Sequence, residues 1–136
     1  MLDKPIRWIS SSLEDLSNFP ESARRKAGFQ LRSVQSGGTP SDFKPMPIVG
    51  LGVQEIRIRV DDAYRIFYVA RFEEAIYVLH AFQKKTQKTS KLDIKIGQKR
   101  YQQMLQYRQS YKEGMDKRVR TKLPKLFKVA TMYLKI

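Results

Sequence analysis

The chain contains no cysteine and a single histidine among its 136 residues. The first absence removes disulfides, thiolate metal sites, iron–sulfur clusters and cysteine nucleophiles. The second removes histidine-rich metal cages. Long apolar runs are missing too, since none approaches the roughly 18 residues needed to span a bilayer. Met1-Leu2-Asp3-Lys4-Pro5 turns polar at once and offers no secretory apolar region. Acidic side chains are scarce, 13 against 27 Lys and Arg, for a formal charge of +14. What these absences leave is a soluble, cytoplasmic, basic chain with no metal, cofactor or membrane partner expected. Its length suits one domain, and 41% apolar residues suffice for one modest core.

The positive excess is concentrated. Residues 1–83 carry eleven basic and ten acidic side chains, a net +1, whereas residues 84–136 carry sixteen and three, a net +13. Such a field steers polyanions, and release of counterions from a phosphate backbone adds salt-dependent affinity. Nucleic acid is therefore the favoured partner over a solvated basic tail or an anionic membrane surface.

Periodicity supplies the elements. Lys4–Ser10 reads as a first strand, with Ile6, Trp8 and Ser10 on one side and Arg7 and Ile9 on the other. Ser11 and Ser12 followed by Glu14 and Asp15 suit a short helix start, which Asn18-Phe19-Pro20 stops. From Glu21 to Ser36, Ala23, Ala27, Leu31 and Val34 form one helical stripe, and Gly37-Gly38 closes it. Gly37–Gly52 holds four of seven glycines and three of six prolines, a long irregular connection. Val53–Val60 alternates, Asp61-Asp62 marks a turn, Ala63–Phe72 is rich in aromatic and branched residues, and Glu73-Glu74 turns into Ala75–Gln83. Three strands joined by two short turns predict an antiparallel meander. Ser90 with Asp93 makes a capping box for a helix from about Lys91. One side of that helix is Ile94, Gly97, Tyr101, Met104 and Leu105, and the other is Lys95, Lys99, Arg100 and Gln103. Gly114 is expected to end or bend it. Leu123-Pro124 then restarts a tail whose Leu126, Phe127, Ala130, Met132, Tyr133 and Leu134 suit an added helix. The expected class is α+β, in the order β-α-α-β-β-β-α, a small mainly antiparallel sheet with helices packed on one side.

The polar positions of the meander are the informative ones. Arg57, Arg59, Arg65 and the pair Lys84-Lys85 fall on or beside it, and cations rising from rigid strands cradle phosphate well. Cations around a scissile phosphate offset charge that develops in the transition state. Arginine does not give up its proton, so the candidate proton-transfer groups are Glu55, His80, a tyrosine, or a lysine whose pKa its cationic neighbours lower. Counting back from Lys84 places Phe82, His80 and Val78 on one face, so His80 is either a satisfied core histidine or an acid–base group. Glu55 is either a base or an ion-pair partner of Arg57 or Arg65. Tyr64, Tyr68 and Tyr77 either stack on a splayed base or pack in the core. Arg59, Lys88, Lys91, Lys95, Lys99 and Arg100 are the candidate RNA- and ribosome-binding residues.

Three blocks in order carry a family resemblance. They are Leu51-Gly52-Val53-Gln54-Glu55-Ile56-Arg57-Ile58, Ala63-Tyr64-Arg65-Ile66-Phe67-Tyr68, and Ile76-Tyr77-Val78-Leu79-His80-Ala81-Phe82-Gln83-Lys84-Lys85-Thr86-Gln87-Lys88-Thr89. Together they resemble RelE/HigB-like toxins of type II toxin–antitoxin systems, nearest the phage-related HigB-like branch, over about residues 4–108. The resemblance implies a RelE-like fold for a toxin domain of residues 1–110, with 111–136 a basic extension beyond the usual end of that branch. It implies a ribosome-dependent endoribonuclease that cuts translated mRNA by attack of a ribose 2′-oxygen on the adjacent phosphate, without metal or cofactor. It also implies a cognate antitoxin, commonly of helix-turn-helix type. Carried over by position, Arg57 and Arg65 are the phosphate and transition-state cations and Lys84 and Lys85 the strand-end basic pair. Glu55 is the acidic residue before the first arginine, and Phe82 an aromatic structural position. Two other classes compete: a gyrase-inhibiting ParE-like relative, and a non-catalytic basic nucleic-acid-binding module. The tail is expected to extend the RNA or ribosome contact.

Overall fold

A computed structural model describes residues 3–112 and the backbone of residues 129–132. The elements are β1 (Ile6–Ile9), α1 (Ser12–Ser17), α2 (Glu21–Gln35), β2 (Phe43–Pro45), β3 (Val53–Val60), β4 (Asp62–Val69), β5 (Ile76–Lys84), α3 (Lys91–Lys112) and β6 (Val129–Met132). They form a mixed α+β fold on one sheet of order β2-β3-β4-β5-β1-β6. The β3-β4-β5 meander is antiparallel throughout. Asp61 takes the left-handed conformation (φ 63°) that lets β3 fold straight back onto β4, a conformation that aspartate tolerates better than branched residues.

The strand order departs from the expected one in two ways. β2 lies inside the connection expected to be irregular, pairing Phe43–Pro45 with Gln54–Ile56. It is a three-residue edge strand containing a proline, and it carries almost no periodic signal. β6 comes from the tail, antiparallel to β1 with Ile9 opposite Val129, so this part of the tail is a strand and not the expected helix. The expectations for Gly114, Leu123, Pro124, Leu126, Phe127, Tyr133 and Leu134 fall outside the described residues. β1 pairs in parallel with β5, Trp8 opposite Val78, and so occupies an interior position.

Interior strands must be apolar on both faces, and two cores result. On one face α1 and α2 cover Ile6, Trp8, Ile56, Ile58, Ile66, Ile76 and Val78, using the predicted stripe Ala23, Ala27, Leu31 and Val34. On the other, α3 places Tyr101 and Met104 over Ile9, Val53, Phe67, Val69, Tyr77 and Leu79. The expectation of helices on one side describes α1 and α2. α3 takes the opposite face, because the alternate residues of β4 and β5 are apolar as well. Tyr64, Tyr68 and Tyr77 are all buried in these cores, and burial raises Tyr68 to about 12.

α3 lies close on the sheet because residue 97 is glycine. A Cβ there would stand 2.9 Å from both Phe67 and Val49. Its start is fixed by the predicted capping box, with the Asp93 N–H donating to Ser90 Oγ at 3.1 Å. Its far end is latched by Arg108, whose Nε donates to Glu74 Oε2 at 2.6 Å while Tyr77 donates to the same oxygen at 2.7 Å. Among the described residues no helix is long and apolar enough to cross a membrane.

Candidate phosphate-binding site

The meander registers set three rows of side chains on the α3 side of the sheet. Arg57, Arg65 and Phe82 stand in one row, Glu55, Phe67 and His80 in the next, and Arg59, Ala63 and Lys84 in the third. The α3 helix covers the Phe67 end and leaves the Lys84 end open. There, Arg59, Arg65, Lys84 and Lys85 border a cleft of about 370 Å³ with Thr86 and Gln87.

Two arginines directly across a strand pair repel each other, and Glu55 offsets that repulsion. Its carboxylate is 1% exposed. Oε1 lies 3.5 Å from Arg57 Nε and 3.6 Å from Arg65 Nε, and Thr89 Oγ1 donates to Oε2 at 3.4 Å. Enclosed in this way, Glu55 orients both guanidinium groups. Arg65 is itself buried and donates one NH1 bond to the Tyr64 carbonyl at 3.0 Å, while its Nε is buried without a hydrogen-bond partner. Burial lowers the pKa of Arg65, with Glu55 opposing the shift. The ammonium of Lys84 is likewise lowered, first by burial and then by Arg65, with Glu55 opposing and Arg57 and Lys44 adding smaller downward pulls.

His80 sits on the same face but in a different environment. The register slips between Phe67, opposite His80, and Tyr68, opposite Val78, so Leu79 is an extra residue at a bulge. Leu79 and His80 therefore both face α3, and Val78 faces α2. This corrects the simple alternation that put Val78 with His80, because a bulge resets the two-residue period. The His80 Nε2 lies 2.7 Å from Asp93 Oδ1, and its Nδ1 lies 3.4 Å from Arg100 NH1. These partners fix the neutral ring with Nε2–H donating to Asp93. Burial pushes its pKa down, with the Asp93 hydrogen bond opposing. Phe82 stacks on it at 4.7 Å and stands between it and Lys84 along β5.

The other candidate cations divide similarly. Lys85, Lys88, Lys91, Lys95 and Lys99 are exposed, as is Arg59. Arg100 turns inward instead, bridging Asp15 at 3.0 Å, the Leu79 carbonyl at 3.0 Å and Ser11 Oγ at 2.8 Å. Lys44 and Thr89 escaped the sequence reading. Lys44 lies opposite Glu55 on β2 and adds to the field on Lys84, but only a recognised β2 would have revealed it. Among the described residues no three His, Cys, Asp or Glu side chains converge to hold a metal ion. Chemically, the cleft offers two-pronged guanidinium donors, an ammonium of lowered pKa and no carboxylate in its lining, which suits an anion with several oxygens.

Residues 14–102 match the model of a family described as "Phage derived protein Gp49-like (DUF891)". No curated protein matches the chain.

Proposed function

The chain belongs to the Gp49-like family of phage-derived proteins, and we propose that it is the toxin of a type II toxin–antitoxin system, cleaving translated mRNA on the ribosome. The observation that carries this reading is the trio Arg57, Arg65 and Lys84 gathered about Glu55 beside an open cleft. In the reaction, a ribose 2′-oxygen attacks the adjacent phosphorus and the bond from phosphorus to the 5′-oxygen breaks. A 2′,3′-cyclic phosphate and a 5′-hydroxyl result. Arg65 and Arg59 hold the nonbridging oxygens and offset the charge that grows on them. Lys84, whose pKa is lowered first by burial and then by Arg65, accepts the 2′-proton in its neutral form, and solvent water gives the departing 5′-oxygen its proton. Lys85, Lys88 and the exposed lysines at the start of α3 hold flanking phosphates and the ribosome. A cognate antitoxin of helix-turn-helix type is the protein partner in this reading, and the basic residues of 111–136 add to the RNA or ribosome contact.

Primer-extension mapping of a reporter mRNA, with and without translating ribosomes, tests the reading. Cuts in reading-frame register that require ribosomes are expected. Absence of cuts in both lanes would overturn it and favour inhibition of gyrase or plain nucleic-acid binding.

A further inference from the structure

A second cleft, of about 380 Å³, lies between α2 and the end of β3 and is bordered by Lys26, Phe29, Gln30, Asp42, Arg57 and Arg59. Its setting is built rather than incidental. β2 covers β3 only through Ile56, the Arg57 N–H donates to the Asp42 carbonyl at 2.9 Å, and Gln30 Oε1 accepts the Ser41 N–H at 2.7 Å. Phe29 is off the buried stripe of α2 and is 62% exposed, so the core does not explain it. Arg59 borders both this cleft and the phosphate cleft, and Arg57, whose Nε lies 3.5 Å from Glu55 Oε1, borders this one.

We propose that this cleft is a nucleobase subsite for single-stranded RNA, taking a base next to the cleaved bond. The inference rests on the RNA-cleaving reading of the adjacent site. A strand gripped at Arg65 and Lys84 passes Arg59 and meets, at the β3 edge, an aromatic ring flanked by three cations. The ring stacks on the base face, the cations hold its phosphates, and the Asp42 carboxylate accepts from amino or imino groups on its edge. Stacking on an aromatic side chain is tolerant of sequence, whereas a carboxylate favours bases that offer donors there.

The test is a cycle between protein and RNA. Binding of a 2′-O-methyl oligoribonucleotide, which cannot be cleaved, is measured by fluorescence anisotropy for the wild type, Phe29→Ala and Phe29→Tyr. The RNA carries an abasic nucleotide at each position in turn. Phe29→Ala is expected to weaken binding about tenfold and Phe29→Tyr to restore it. One abasic position should cost about tenfold in the wild type and almost nothing in Phe29→Ala. Fully additive losses would overturn the subsite. If Phe29→Ala leaves RNA binding intact and instead loses a protein partner, the cleft is a protein-docking surface and the subsite is again overturned. Ribosome-dependent cleavage by the wild type separates the two readings. With additive losses and cleavage retained, the subsite alone fails. A wild type that neither binds nor cuts RNA removes both.

Discussion

One face of the sheet carries two clusters of titratable side chains, and they differ in how completely the protein satisfies them. The His80 cluster is internally satisfied, although His80 and Asp15 also border a cleft of about 450 Å³. Ser11, Asp15, Ser90, Asp93 and Arg100 surround the ring, with Arg100 donating four hydrogen bonds, one of them to His80 Nδ1, and Asp93 bonded to both Ser90 and His80. Its carboxylates outnumber its one guanidinium. The Arg65 cluster is open, with one carboxylate, that of Glu55, among Arg57, Arg59, Arg65, Lys84 and Lys85, and with the buried Arg65 Nε ion-paired to it at 3.6 Å but making no hydrogen bond. In the proposed reading, surplus positive charge and unspent donors mark the reacting cluster better than residue type does. A lone histidine draws the eye in the sequence, yet here it ties α1, β5 and α3 together.

The comparison breaks most readily at Glu55. Glu55→Gln leaves Arg57 and Arg65 opposed without their carboxylate, and unmaking a buried ion pair costs about 3–5 kcal/mol. Urea denaturation should show that loss, and a change within error of zero would mean the two arginines do not depend on Glu55. Lys84→Met should lower single-turnover cleavage by roughly 10²-fold, the scale of general base catalysis, with little change in stability. The wild-type rate should rise with pH and level off below the ordinary lysine pKa, since the shift of Lys84 is downward. A flat pH profile would assign the proton to another group.

The satisfied cluster around His80 predicts the reverse pattern. His80→Asn should cost about 1–3 kcal/mol of stability, the penalty for disturbing buried hydrogen bonds. Cleavage by the folded fraction should stay within a few-fold of wild type. A catalytic loss comparable to that of Lys84→Met would erase the distinction between the clusters. The smallest effect is expected at the α3 latch. Burial alone would raise Glu74, but hydrogen bonds from Arg108 and Tyr77 outweigh it and hold the carboxyl at about 2. A depressed folded-state pKa gives stability that is complete above the ordinary value near 4.5 and is lost as pH falls toward 2. Thermal melts of Glu74→Gln should show a weaker acid-side decline than the wild type over that window, and identical slopes would remove the latch from the account.

The meander was legible because Glu55–Val60 alternates polar and apolar residues and acidic pairs mark its two turns. The stripe of α2 and the Ser90–Asp93 cap were equally local signals. Arg57 and Arg65 could be placed near one turn from sequence, since hairpin register follows from turn length. What could not be read depends on contacts distant in the chain. The parallel pairing of β1 with β5 joins residues some 70 positions apart, and β6 reaches β1 from the tail. The bulge at Leu79 leaves no mark in an apolar run, so the face of Val78 was misassigned. Arg100 looked like part of a solvated basic face because its acceptors, Asp15 and the Leu79 carbonyl, lie on other elements.

The central claim is that the open cluster, and Arg65 above all, stabilises a phosphate in its transition state. Single-turnover cleavage of mRNA on programmed ribosomes tests this directly, comparing wild type, Arg65→Ala and Arg65→Lys, with ribosome binding and thermal melting followed in parallel. The account predicts a rate loss of about 10²–10³-fold for Arg65→Ala with ribosome binding retained, and partial recovery in Arg65→Lys. Cleavage at the wild-type rate by a folded Arg65→Ala protein would contradict it.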